Sequence, residues 1–293
     1  MKKIFNHIIT IVFSVVLFCF VMIMITSSFF TEEMMQKNFQ RINVIHEMKK
    51  IQNSTTSGTS AEVADLINTA YAEAESHGID KKLVNTIFND KETKNFLGAL
   101  AGSTTDYVVN GTKGSIPTSE DFNELLDNNI DRWIDESGVS ISDSKKEVLL
   151  IRIKSMSSGI IDNMPNYMSV KGAVNNKVLD TIKFIFSDMV KFILGGLVIL
   201  FVIILYLLNR KDAATFKYVG GALLISSVMM FVVSFSLEDV VAYVLSGYNL
   251  TSLINSLVNL MMMWVIIMAA ILLVLGILLL LVYRGKCKRR VKA

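Results

Sequence analysis

The chain has 293 residues, of which 52% are apolar and 19% charged, with 29 bases against 26 acids. Soluble globular domains run at about 45–50% apolar and about 25% charged, so the composition leans towards a bilayer and excludes a wholly soluble enzyme. Two prolines and two cysteines exclude a collagen-like chain and a disulfide scaffold, and the apolar content excludes disorder.

A bilayer core about 30 Å thick needs about 20 apolar residues as helix. The first stretch that qualifies is Ile9–Phe30. Lys2 and Lys3 precede it like the basic region of a signal peptide, but the run exceeds the usual 7–15 residues of such a core, and Ile25-Thr26-Ser27-Ser28-Phe29 offers no small-x-small cleavage site. Bulky Phe18 before Cys19 excludes lipoprotein processing. Residues 1–30 read as an uncleaved anchor.

Met35, Phe39, Ile42 and Ile51 continue a helical stripe directly out of this span, until Asn53-Ser54-Thr55-Thr56-Ser57-Gly58 breaks it. Residues 31–58 are therefore expected to form a stalk helix and linker. From 59 to 165 the apolar period is 3.6, and no strand-like alternation competes. Val63, Leu66, Ile67, Ala70 and Ala74 follow a Thr59/Glu62 capping box and end before Gly78. Leu83, Val84, Ile87 and Phe88 make a short helix. After Asp90 come Phe96, Leu97, Leu100, Thr104, Tyr107 and Val108, ending at Asn110-Gly111. Thr118 and Asp121 box the next helix, whose face is Phe122, Leu125, Leu126, Ile130, Trp133 and Ile134, with Gly138 as its stop. Ser144 and Glu147 cap the last, with Leu149, Ile153, Met156 and Ile160 inward and Pro165 as terminator. A bundle of about five helices can bury its own core. Val174, Val178, Ile182 and Ile185 place a second stalk helix at 166–188.

Three more apolar stretches follow, Met189–Leu208, Val219–Phe235 and Leu260–Tyr283, making a three-helix transmembrane domain at 189–283 and a basic tail at 284–293. Between the last two, Leu237, Val240, Val241, Val244 and Leu245 predict a short amphipathic helix on the outer membrane surface, with Leu250, Leu253, Ile254 and Leu257 behind an Asn249 cap. Gly195-Gly196, Gly220-Gly221-Ala222 and Ser226-Ser227 put small residues where spans two to four can approach closely.

Lys2, Lys3, Arg210, Lys211, Lys217, Arg284, Lys286, Lys288, Arg289, Arg290 and Lys292 flank the spans on one side, with Asp212 as the single acid there. The other side holds 18 of the 29 bases and 25 of the 26 acids. By the positive-inside bias both termini are cytoplasmic, and residues 31–188 and 236–259 are extracytoplasmic. Tyr206, Tyr218 and Tyr283 fall at the inner interface and Trp264 near the outer one. The expected fold is an all-α membrane protein: four transmembrane helices with a helical-bundle extracytoplasmic domain on a two-helix stalk between the first and second spans.

No constellation carries chemistry. The acidic stripe Glu120, Glu124, Asp127, Asp131 and Asp135 reads as a solvated face; Arg132 stands where a calcium loop needs glycine. His7, His46 and His77 are too dispersed for zinc. Ser157-Ser158-Gly159 and Gly102-Ser103 lack the G-x-S-x-G frame, and the chain has no P-loop or dinucleotide fingerprint. The span centres carry no charge, against a self-contained pump. Asn53-Ser54-Thr55, Asn110-Gly111-Thr112 and Asn249-Leu250-Thr251 fit the glycosylation pattern by chance in so Asn-, Ser- and Thr-rich a chain. Cys287, in the basic tail, reads as a plain thiol. No residue is assigned a catalytic, cofactor-binding or metal-binding role, and no cofactor is expected.

One span, a large outer insert, then three spans resembles the layout of the four-helix permease subunits of ABC-type systems, in which a separate cytoplasmic ATPase moves the outer domain. About eight residues precede the first span, and the loop Asn209–Thr215 is short for an ATPase-docking element. The first expectation is thus a non-enzymatic membrane protein whose outer bundle binds a protein or envelope partner as scaffold, sensor or accessory. The alternative is a permease-like subunit. Expected partners are the lipid bilayer, a protein on the outer bundle and a second copy of the chain, with no nucleic acid. Abundant Ile, Lys and Asn point to a bacterial plasma membrane.

Overall fold

The computed structural model describes residues 2–43, 70–112, 114–161, 176–210, 213–245 and 251–291. Among the described residues all regular structure is helical, with no strand. The chain forms two compact units. An apolar unit comprises Met1–Ser28, Lys183–Asp239 and Asn259–Ala293; an amphipathic unit comprises Phe29–Ile182 and Val240–Val258.

The apolar unit is built on α1 (Lys2–Phe29), α8 (Asp188–Asn209), α9 (Thr215–Leu245) and α10 (Thr251–Val291), with the described stretches of α7 (Asn176–Ile185) leading into α8. Four helical stretches, Lys2–Phe29, Leu179–Asn209, Thr215–Ser236 and Val258–Cys287, are long and apolar enough to cross a membrane. These are the four expected spans, and the chain is compatible with a multi-pass membrane protein. The helices extend further than the apolar runs. The separate surface helix expected from Leu237 to Leu245 does not form, because α9 runs unbroken through it, and α10 begins at Thr251. No glycine or proline interrupts 222–245, and Ser236 Oγ donates back to the Val232 carbonyl instead of capping a new helix.

Within this unit Phe13, Leu17 and Val21 of α1 share a core with Leu205, Ala222, Met230, Val265 and Ala269 of the later helices. Phe13 stacks on Phe201, ring centroids 5.9 Å apart. Polar side chains bond across helices: Ser226 Oγ donates to the Ser14 carbonyl at 2.8 Å, Ser227 Oγ to the Ala269 carbonyl at 2.8 Å, and Asn6 Nδ2 to Asn209 Oδ1 at 2.9 Å. A Cβ on Gly220 would lie 2.9 Å from the Gly276 carbonyl oxygen, and one on Gly276 3.0 Å from that of Gly220, so these two backbones meet. The small residues of α9 were expected to pack spans two to four; Ser226 and Gly221, beside Thr10, also bring in span one. Such contacts suit a solvent that neither drives apolar side chains together nor satisfies a lone polar group.

The amphipathic unit begins where α1 ends. Thr31 is extended and its hydroxyl accepts from the Met34 backbone N–H, starting α2 (Glu32–Arg41) as a new helix with Glu32 and Glu33 in its first turn. The expected stalk stripe therefore does not run on from span one. Met35 and Phe39 are each 1% exposed, and α2 packs along α4 (Lys91–Asn110). Close approach is possible because Gly98 and Gly102 face it: a Cβ there would lie 2.6 Å from Gln36 Cα and 2.7 Å from Glu32 Cα. Ile51, the 53–58 linker, the Thr59/Glu62 box, Val63–Ile67, Pro165 and Val174 lie outside the described residues.

The remaining helices follow the sequence closely. Residues 70–76 are helical, with Ala70 and Ala74 fully buried, and Gly78 takes φ +64°. Leu83, Val84, Ile87 and Phe88 of α3 (Lys81–Asn89) are fully buried. On α4, Val109 and not Val108 is buried beside Tyr107, and Gly111 closes the helix at φ +76°. The capping box of Thr118 and Asp121 opens α5 (Ser119–Ser137), Gly138 closes it at φ +66°, and Phe122, Leu126, Ile130 and Trp133 are buried. Helix α6 (Asp143–Ile161) starts one residue before Ser144, so Ser144 stands inside the first turn and is not its cap; the Ser142 carbonyl accepts the first bond, from Lys146 N–H. Leu149 and Ile153 complete the core. Burying each such side chain is worth about 1.5–3 kcal/mol.

Candidate functional site

Several charges in the amphipathic unit join helices. Asp90 closes α3 and opens α4, accepting from the Glu92 backbone N–H at 2.9 Å and from Arg132 Nη1 at 2.9 Å. Arg132 is held by Asn129 Oδ1 at 2.7 Å and by Glu136 at 3.2 Å, with its guanidinium 5.8 Å from the Trp133 ring centre. Burial pushes the Asp90 carboxyl up, but the bonds from Arg132 and the Glu92 N–H outweigh it and hold it below its ordinary value; the bond to Asp90 raises Arg132 in turn. This junction pins the α3–α4 corner to α5. Nothing in a spacing of 42 residues announces it.

The acidic stripe of α5 is brought to no common point. Asp131 accepts from Lys146 Nζ at 2.7 Å and Asp127 pairs with Lys154, both lysines on α6, while Glu120, Glu124 and Asp135 are exposed. Asp121 serves the cap of α5, whose backbone and hydroxyl donors from Thr118 lower its carboxyl. Among the described residues no group of three or more His, Cys, Asp or Glu side chains could hold a metal ion. His77 lies 3.5 Å from Glu73, at the end of its helix, and His7 makes an edge contact with Tyr218, ring centroids 5.5 Å apart. His46 lies outside the described residues. Ser157 and Ser158 both donate to the Lys154 carbonyl, and Ser103 to that of Leu100, so these hydroxyls are satisfied by their own helices.

Glu32 and Asp106 form one acidic contact. Asp106 Oδ2 accepts from the Glu32 backbone N–H at 3.4 Å and Asp106 Oδ1 from Asn110 Nδ2 at 2.8 Å. Burial, then the neighbouring Asp106 charge, push the Glu32 carboxyl above its ordinary value. Sequence reasoning missed this pair because 74 residues separate the two.

The apolar unit carries a more open feature. Where α8 ends and α9 begins, beside the last turns of α10, a groove of about 600 Å³ is lined by Val202, Ile203 and Tyr206 on one wall and by Arg210, Phe216 and Lys286 on the other. Lys286 Nζ stands over the Phe216 ring, 4.5 Å from its centre. At the base, Asn209 bonds to Asn6, and Thr215 Oγ1 donates to the Leu205 carbonyl at 3.3 Å. Lys286 was legible as a flanking base and Tyr206 as an interfacial ring, but their convergence with Arg210 and Phe216 was not. The chain matches no protein-family model, no curated protein and no solved structure.

Proposed function

We propose that the chain is a non-enzymatic, multi-pass protein of a bacterial plasma membrane that presents its amphipathic unit outside the cell to a protein or envelope partner, with both termini in the cytoplasm. The observation that carries this reading is the packing of α1 into the later apolar helices through Ser14, Ser226 and the Asn6–Asn209 pair. The insert between the first and second spans is thereby tethered at both chain ends to one packed body, as a presented domain should be. The basic flanks on one side and 25 of 26 acids on the other support the orientation. Val148 and Ile151 of α6, 37% and 58% exposed, supply an apolar strip on which a partner can bind.

The layout also supports a second reading, a permease-like subunit driven by a separate ATPase. Cross-linking intact cells with a membrane-impermeant reagent and purifying the full chain in mild detergent separates the two. The first reading expects an envelope partner cross-linked to the amphipathic unit, lost severalfold in Ile151→Asp at unchanged helical circular dichroism. A stoichiometric cytoplasmic ATPase in the purified complex, with no outer partner, overturns it in favour of the second.

A further inference from the structure

The groove between α8, α9 and α10 joins two chemistries that rarely share a surface in water. One wall is apolar and open: Val202 is 37%, Ile203 47% and Tyr206 58% exposed. Helix α8 is the least covered of the four apolar helices, with 6% of its apolar window buried. At the helix end the same groove turns cationic through Arg210 and Lys286. The guanidinium offers a planar fork of donors suited to phosphate oxygens. Lys286 is drawn over Phe216, which keeps its ammonium at the groove. Among the described residues no carboxylate forms an ion pair with either cation.

We propose that this groove is a binding site for one anionic phospholipid, its phosphate held by Arg210 and Lys286 and an acyl chain lying along Val202, Ile203 and Tyr206. The order of the groups, apolar along the helix and cationic at its end, is that of a lipid read from tail to headgroup. Two cations that pair with no carboxylate among the described residues prefer a net-negative headgroup over a zwitterionic one, whose amine they would repel. A free phosphate would use the cations and leave the apolar wall uncovered. The proposal rests on the reading of α8 as a membrane-spanning helix, since only then does its open wall face acyl chains.

The test is native mass spectrometry of the full chain in detergent, titrated with phosphatidylglycerol, phosphatidylcholine or inorganic phosphate. One tightly retained phosphatidylglycerol is expected, with phosphatidylcholine held more weakly and phosphate unable to displace the lipid. Arg210→Gln with Lys286→Gln should weaken retention about tenfold, whereas the charge-matched pair Lys217→Gln with Arg284→Gln, outside the groove, should change it less than about twofold. Equal loss in both pairs, equal retention of both lipids, or displacement by inorganic phosphate would overturn the site. If the groove pair fails to fold, Lys286→Gln alone decides, with about threefold weaker retention expected and an unchanged value contradicting the proposal. Alkaline carbonate extraction of native membranes keeps the two readings apart: release of the protein defeats the membrane reading itself, while an integral protein without lipid preference defeats only the site.

Discussion

The two units build their centres from different residues. In the apolar unit Ser14, Ser226, Ser227, Asn6 and Asn209 are buried, and hydrogen bonds from serine and asparagine side chains cross between helices. In the amphipathic unit the centre is Trp133, Leu126, Phe88 and Ile153, with Asn38, Thr93, Ser103, Asn129 and Ser157 also buried, while the Thr31 and Thr118 caps and the Asp131–Lys146 pair lie nearer the rim. Water explains the difference: it drives large apolar side chains together and solvates what stays outside, so a water-facing bundle can centre on them. A bilayer does neither, and helices there hold one another through close packing and shared hydrogen bonds. Both units nevertheless place glycine where backbones meet, Gly98 and Gly102 in one and Gly220 and Gly276 in the other. Close approach is a steric requirement that the solvent does not change.

Substitutions should break this contrast unequally. The largest effect is expected from Trp133→Ala, which removes the largest buried side chain of the amphipathic unit and should cost about 3–5 kcal/mol in chemical denaturation followed by circular dichroism. Next comes Gly98→Ala, whose new Cβ meets the backbone of Gln36 and must push α2 away; a loss of about 1–3 kcal/mol is expected, and a neutral result would mean that α2 does not lie on α4. Ser226→Ala should cost less, about 0.6–1.7 kcal/mol in a detergent unfolding assay, because the unfolded chain in a membrane also finds partners for that hydroxyl.

The smallest effects are those of pH, and they have opposite signs. Glu32, raised above its ordinary 4.5, is held charged at a cost near neutrality, so stability from this group rises as pH falls through its folded value towards 4.5, and Glu32→Gln should flatten that rise. Asp90, held below its ordinary 3.8, contributes stability that is complete above 3.8 and disappears as pH falls through its folded value; Asp90→Asn should remove that acid dependence. Urea midpoints of each variant across pH 3 to 7 check both.

How far the fold could be read in advance depended on distance along the chain. The α5 helix was legible end to end, because its cap, its apolar face and its stop at Gly138 are all local. The fate of Met35 and Phe39 was not, because their cover is a glycine face some sixty residues away and glycine carries no hydropathic signal. The same stripe suits a stalk or a core. Likewise Leu237–Leu245 looked like a separate amphipathic segment, whereas the backbone had no reason to stop at Ser236. Of the candidate sites, the dispersal of the acidic stripe could be anticipated from its regular spacing on one helix. The groove at Arg210 and Lys286 could not, since it joins the ends of three helices.

The central claim, an outer amphipathic unit carried by spans whose termini lie in the cytoplasm, is tested most directly by thiol labelling in intact cells. The protein has only Cys19 and Cys287. In a Cys19→Ser background a membrane-impermeant maleimide should leave Cys287 unlabelled until the cells are permeabilised. Ser140→Cys, at an exposed position between α5 and α6, should be labelled at once when combined with Cys287→Ser. Immediate labelling of Cys287 with protection of residue 140 would invert the topology and contradict the account.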